Sequence, residues 1–300
     1  MVDKGAIILM LINKRIFLFS FFIMAVIFFI SYNPKRMLWG KEYKITEVHK
    51  VNMLSNMLSK KWTSQDFDVF NGVIFQAYNP NIIITYNLEN YQMISKFDSK
   101  TEHGDCIEFG KSINTSSDKY PFLYATSDTT PLKVYVNRVT ETESKLVRTY
   151  HFPKEDTGYY AGHCSDFDNG FMYTIGYARK NYQSSIDNYM IVSKWSLKNC
   201  TEISKNVYLP QKIMSFKLPF IITVQGQKFH DGYIWAISSD WKNPETKIIV
   251  IDPEKKRIVH EITNFPDEIK NKEAEGISFL ADNKIILSTY PNTYYTIVFN

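Results

Sequence analysis

The 300-residue chain has little of what usually marks a catalyst or a nucleic-acid binder. Its 35 basic and 31 acidic side chains leave a net charge of +4, too small a field to hold a polyanion. Three cysteines are an odd number and cannot complete a disulfide framework; one bridge between Cys106 and Cys164 is geometrically open, and packed thiols are the expectation, since cysteine is often simply buried. There is no Walker loop, G-x-G-x-x-G, H-E-x-x-H, C-x-x-C or G-x-S-x-G motif. Helix-period stretches are scarce after Trp39. What is abundant is apolar and aromatic: 44% and 15% of residues, including 20 Tyr and 21 Phe. That excludes disorder and favours strands, on whose half-buried faces such rings pack well.

The clearest local feature is the run at 16–30, IFLFSFFIMAVIFFI, which follows Lys14-Arg15 and carries no charge. Its length lies between a signal-peptide core and a full span. No small-residue cleavage pattern follows it, and no cysteine is near enough for a lipid anchor. The expected organisation is therefore a short basic tail at 1–15, an uncleaved transmembrane signal anchor at 16–32, a linker at 33–42 and a β domain at 43–300. Charges flanking the run do not favour export. The short basic entry signal does, and the body is expected on the extracytoplasmic (periplasmic) side of the cell membrane.

The body repeats. Residues 65–72 (QDFDVFNG), 163–170 (HCSDFDNG), 225–232 (QGQKFHDG) and 275–283 (EGISFLADN) each lead through a tight turn into an apolar strand. A looser fifth copy runs from 103–109 (HGDCIEF) to 120–125. Asn-Gly and Asp-Gly tolerate the positive φ that such hairpins require. A third strand, and usually a fourth, follows each pair. Four antiparallel strands repeated every ~40–60 residues indicate a β-propeller. The last copy supplies about three strands, and a lone strand near Tyr43 would complete it and cover both open edges. The segment 204–219 is either a degenerate sixth copy or a long connection.

The stretches QDFDVFNG at 65–72, HGDCIEFG at 103–110, PFLY at 121–124, QGQKFHDG at 225–232 and EAEGI at 273–277 resemble the bacterial TolB-like six-bladed propeller group, mostly uncharacterised envelope proteins. The resemblance covers about residues 43–300. It implies six blades and speaks for fold, not chemistry.

The residues that open the first strand of each copy are Gln65, His103, His163, Gln225 and Glu275. If that strand is innermost, rotation about the axis places these side chains around one channel mouth. His103, His163 and Glu275 would then suit a divalent metal, with Gln65 and Gln225 lining the channel. Asp105, Asp166 and Glu273 are near enough in sequence to act as a general base or to support the ligands. The bland alternative is a polar ring that meets water. Asp166 also opens a DFDNG stretch that reads as a blade turn, not a calcium loop. The function expected is a membrane-anchored binding or scaffold module that takes a protein, peptide or glycan on one face. The alternative is a metal-dependent hydrolase or lyase. Nucleic acid is not an expected partner.

Overall fold

A computed structural model describes residues 42–50, 63–103, 106–111, 113, 115–127, 129–181, 186–221, 223–239, 245–290 and 293–300. The tail, the anchor at 16–32 and almost all of the linker lie outside these residues. Among the described residues no helix is long and apolar enough to cross a membrane.

The described strands form a propeller-like, all-β fold of five antiparallel four-stranded blades. Blade 1 comprises Thr63–Phe70, Val73–Asn79, Ile82–Asn87 and Met93–Asp98. Blade 2 comprises Ile107–Phe109, Leu123–Thr126, Lys133–Val139 and Ser144–His151. Blade 3 comprises Tyr159–Asp166, Phe171–Tyr177, Tyr189–Ser204 and Val207–Pro219. Blade 4 comprises Val224–His230, Tyr233–Ser238, Lys247–Asp252 and Arg257–Ile262. Blade 5 takes Ala274–Ala281, Lys284–Thr289 and Thr293–Phe299 from the C-terminal end and Tyr43–Lys50 from the N-terminal side. That last strand pairs antiparallel with Thr293–Phe299, from Tyr43 opposite Phe299 to Lys50 opposite Thr293. The pairing removes an edge that would otherwise be open to another chain.

Among the described residues the count is five, not the six implied by the TolB-like resemblance. Residues 204–219 belong to the two long outer strands of blade 3. Their far end reaches blade 2, where Val207 and Tyr208 pair in parallel with Thr149 and Tyr150. This clasp merges blades 2 and 3 into one eight-stranded sheet.

Tight turns set the inner hairpins. Asn71-Gly72 and Asp231-Gly232 all have positive φ, from 47° to 86°, the backbone that a two-residue hairpin needs. The middle strands are buried on both faces because each blade is sandwiched between two others; Val73–Asn79 is covered along all but its last residue. Outer strands meet water, as the largely exposed Met93–Asp98 does. The core is divided among the blade interfaces. Phe75, Ile83, Ile107 and Leu123 pack between blades 1 and 2. Tyr173, Val192, Ile234 and Ile249 do so between blades 3 and 4. Each fully buried side chain of this size stabilises the fold by roughly 1.5–3 kcal/mol.

The inner strands meet closely at the axis. A Cβ added to Gly276 would lie 2.3 Å from Asp66 Oδ1 and 2.8 Å from Phe67 Cδ1. Blade 5 can therefore approach blade 1 this closely only with glycine at that position.

Candidate functional site

Each blade sends one polar inner-strand side chain to the same hollow: Asp68, Glu108, Ser165, Lys228 and Ser278. The hollow has a volume of about 260 Å³. Five phenylalanines surround this polar floor, again one per blade: Phe70, Phe109, Phe167, Phe229 and Phe279. His230 completes the wall, its ring stacked 3.9 Å from that of Phe279. The arrangement is a small, apolar-sided cup with ionisable groups at its base, the usual form of a ligand site. Two larger hollows, one between the outer strands Tyr43–Lys50 and Arg257–Ile262 and one beside Lys154 and Tyr159 at the start of blade 3, lack this convergence of buried charge.

The floor is held rigidly. Asp68 Oδ2 accepts the Phe109 N–H at 2.7 Å, and Asp68 Oδ1 accepts the Ser278 hydroxyl at 2.6 Å. Beneath it, Asp66 Oδ2 accepts the Ile107 N–H at 3.0 Å and pairs with Lys228 Nζ at 3.1 Å. Lys228 also donates to the Ile107 carbonyl. An ammonium has three protons, so one remains for a ligand in the cup. Glu108 is clamped from blade 3: Oε2 accepts the Ser165 N–H at 3.0 Å and Oε1 accepts the Ser165 hydroxyl. These bonds join blades 1, 2, 3, 4 and 5 through the site itself.

The electrostatics follow from burial and from an imbalance of charge. Asp66, Asp68 and Glu108 share a single ammonium. Burial disfavours the charge on Lys228, but Asp66, Asp68 and Glu108 outweigh it and raise its pKa, so it stays protonated. Burial pushes the Glu108 carboxyl up to about 7, against the pull of Lys228 and of the Ser165 hydrogen bonds. Burial likewise raises Asp66 to about 7, opposed by Lys228 and the Ile107 N–H. Of the two, Asp66 has Lys228 in direct contact and is the better held as an anion. Both carboxyls are thus raised toward neutrality, and Glu108, with no ammonium bonded to it, is the one of the two that lines the cup. His163 is fully buried, with Nε2 3.3 Å from Glu108 Oε1. Burial, and then Lys228, depress its pKa to about 3, so the ring is neutral.

The residues expected from the sequence fare differently. His163 adjoins the site. Gln65 is buried against Thr63, to whose hydroxyl it donates at 3.2 Å. Gln225 donates to Glu273 at 3.2 Å, and Glu275 is buried in the inner strand of blade 5. His103 is a half-buried turn residue before blade 2. Asp166 caps the blade 3 turn, accepting the Asn169 backbone N–H at 3.2 Å and its side-chain amide at 2.8 Å. Asp105 lies outside the described residues. Among the described residues no three His, Cys, Asp or Glu side chains are placed to hold a metal ion, so His103, His163 and Glu275 do not assemble as the expected ligand set. Cys106, Cys164 and Cys200 are thiols not joined in a disulfide. Lys228 and Glu108 were missed. A lysine within QGQKFH, aligned with Asp68 and Ser278 in the other copies, was the available signal.

No family model matches the chain, and no curated protein does. The TolB-like resemblance therefore goes no further than the propeller-like fold. Among solved structures, the crystal structure of the glutaminyl cyclase of Myxococcus xanthus matches with a TM-score of 0.53 and 12% identity, over 86% of this chain and 97% of that one. At that identity the match shows the fold alone. It nonetheless corrects the expectation of a non-enzymatic binding or scaffold module: the solved fold of matching extent belongs to an enzyme, and the base of the cup here is ionisable. The alternative of a metal-dependent hydrolase or lyase is only loosely compatible with that match.

Proposed function

We propose that the chain is an enzyme that cyclises the N-terminal glutaminyl residue of a peptide. The α-amine attacks the side-chain carboxamide carbon, the five-membered lactam closes and ammonia leaves. The observation that carries this reading is Glu108: a buried carboxyl titrating near 7 at the base of a one-residue cup, in a fold that matches a glutaminyl cyclase.

The chemistry needs one group to take a proton and return it. Attack makes the amine nitrogen acidic, and the amide nitrogen can leave only once protonated. A carboxyl with a pKa near the working pH serves both steps, so Glu108 receives the amine proton and delivers it to the departing nitrogen. No net proton is consumed. The remaining N–H of Lys228 suits the carboxamide oxygen, where negative charge grows during attack. Asp68 and Glu108 make the cup attractive to a cationic peptide terminus before it yields its proton. The five phenylalanines keep water from competing with the amine for the same carbon. In this reading the apolar segment at 16–32 holds the domain outside the cytoplasmic membrane, and the substrates are exported peptides.

Purified protein incubated with a peptide beginning Gln-Phe should yield a product lighter by one ammonia in mass spectrometry, while the matching Asn-Phe peptide stays intact. Unchanged Gln-Phe peptide, or its conversion to the glutamate form by hydrolysis, would overturn the reading.

A further inference from the structure

His163 is unusual even for a core histidine. Its side chain is fully buried on the inner strand of blade 3, two residues from the serine that clamps Glu108. Nε2 lies 3.3 Å from Glu108 Oε1, yet among the described residues neither ring nitrogen is aligned for a hydrogen bond. A buried polar atom without a partner costs about 1–3 kcal/mol, and a neutral imidazole has one donor and one acceptor to satisfy. The polar atom within reach of Nε2 is the oxygen that must exchange a proton in the reaction. Catalytic hydrogen bonds that are long or misaligned in a ligand-free site tighten when substrate is bound.

We infer that His163 is a positioning residue for Glu108, one that turns its N–H onto Oε1 when the carboxylate is charged and holds it facing the cup. This inference rests on the cyclase reading for its purpose but not for its test. The ring is suited to the role because it stays neutral: a cation there would compete with Lys228, and an apolar side chain would leave the carboxylate with Ser165 alone. The other groups around Glu108 are few. Asp68 and Lys228 act on it from blades 1 and 4. Tyr124 of its own blade and Cys164 of blade 3 adjoin it. Lys111 and His230 stand at the wall of the cup, and Asp66 reaches it only through their shared partner Lys228. Among these groups His163 is the neutral nitrogen donor placed beside Oε1.

The test reads the Glu108 carboxyl directly, by carbon NMR of protein labelled at glutamate side-chain carboxyls, with Glu108→Gln identifying the resonance. Loss of a donor to a buried carboxylate favours its protonated form. His163→Leu should therefore move the Glu108 midpoint upward by about one pH unit or more. His163→Gln, which keeps a donor, should stay close to the parent protein. On a Gln-Phe peptide the acidic limb of kcat should follow the same order, with KM changed less than kcat. If His163→Leu fails to fold, His163→Ala, which also lacks a donor, takes its place and should raise the midpoint in the same way, with His163→Gln as its control. An unmoved Glu108 midpoint in every folded variant would overturn the inference. Midpoints that shift as expected without any cyclisation would leave His163's role intact and reject the enzymatic reading.

Discussion

Replacing Glu108 by glutamine should stabilise the protein at pH 8 while abolishing its activity. The folded-state pKa of Glu108 is raised by burial from the usual 4.5 to about 7. A carboxyl raised on folding contributes stability that is fully present below its unfolded pKa and is lost as pH rises through the folded one. Between about pH 4.5 and 7 the native state binds the extra proton, so stability falls with pH over that window. At about 1.4 kcal/mol per pH unit, the loss from pH 5 to pH 8 is about 2 to 3 kcal/mol. His163 acts in the opposite sense. Its folded pKa is depressed to about 3, so its contribution is lost as pH falls from about 6.5 toward 3. Asp66, likewise raised by burial to about 7, adds to the fall, so the parent's pH dependence mixes all three groups. The difference between Glu108→Gln and parent cancels the histidine and isolates the glutamate. The carboxamide introduced by this substitution keeps one oxygen to accept the Ser165 N–H, and its NH2 can donate to the Ser165 hydroxyl oxygen once that hydroxyl turns, so little else is lost. Urea unfolding of both proteins at pH 5 and pH 8 checks this. The variant should gain about 2 to 3 kcal/mol relative to the parent between the two pH values. A difference that stays constant with pH would show that Glu108 carries no burial strain, and the argument for it as proton carrier would fail.

Other consequences follow from the same geometry. Lys228→Met leaves Asp66 buried without its ammonium and should cost about 3 to 5 kcal/mol in chemical unfolding, part of which the added Asp66→Asn change should restore. Gly276→Ala forces a methyl against the Asp66 carboxylate, which the Ile107 N–H and Lys228 hold in place; a loss of about 3 kcal/mol is expected, and a silent substitution would contradict the close approach of blades 5 and 1. Removing residues 1–50 uncovers the strand Thr293–Phe299, and light scattering should record concentration-dependent aggregation that protein lacking only residues 1–41 does not show.

The sequence carried the blade grammar well because its signals are local. Turn residues such as Asn71-Gly72 and the apolar runs that follow them need no tertiary context to be read. The closure of blade 5 by Tyr43–Lys50 was legible for the same reason: three strands at one end and a lone one at the other leave one arrangement without open edges. The blade number was less so. The strand Val207–Pro219 is long enough to resemble part of a further repeat, and only its pairing with Tyr189–Ser204 and with blade 2 shows that it belongs to blade 3.

The site was legible in kind but not in register. Inner-strand residues do converge on one axis, as the alignment of copies required. The converging set is Asp68, Glu108, Ser165, Lys228 and Ser278, a few residues beyond Gln65, His103, His163, Gln225 and Glu275. Bulges near the starts of four inner strands, between Ser64 and Phe67, Tyr159 and Gly162, Val224 and Gly226, and Ala274 and Gly276, break the alternation that the alignment relied on. In blade 2 the inner strand begins only at Ile107, beyond the turn that holds His103. The cup opens at the hairpin end, where the phenylalanines stand. Pairwise charge is also invisible in one dimension: Lys228 and Asp66 are far apart in the chain and meet only because the ring closes.

The central claim is that Glu108 moves a proton during ring closure on a terminal glutamine. A glutaminyl peptide carrying nitrogen-15 in its side-chain amide tests it in one NMR experiment. With the parent protein the label should appear as free ammonium while the peptide gains a lactam terminus at the same rate, and with Glu108→Gln both signals should stay at the uncatalysed level. Equal turnover by the two proteins, or label that remains on the peptide with the parent protein, would contradict the account.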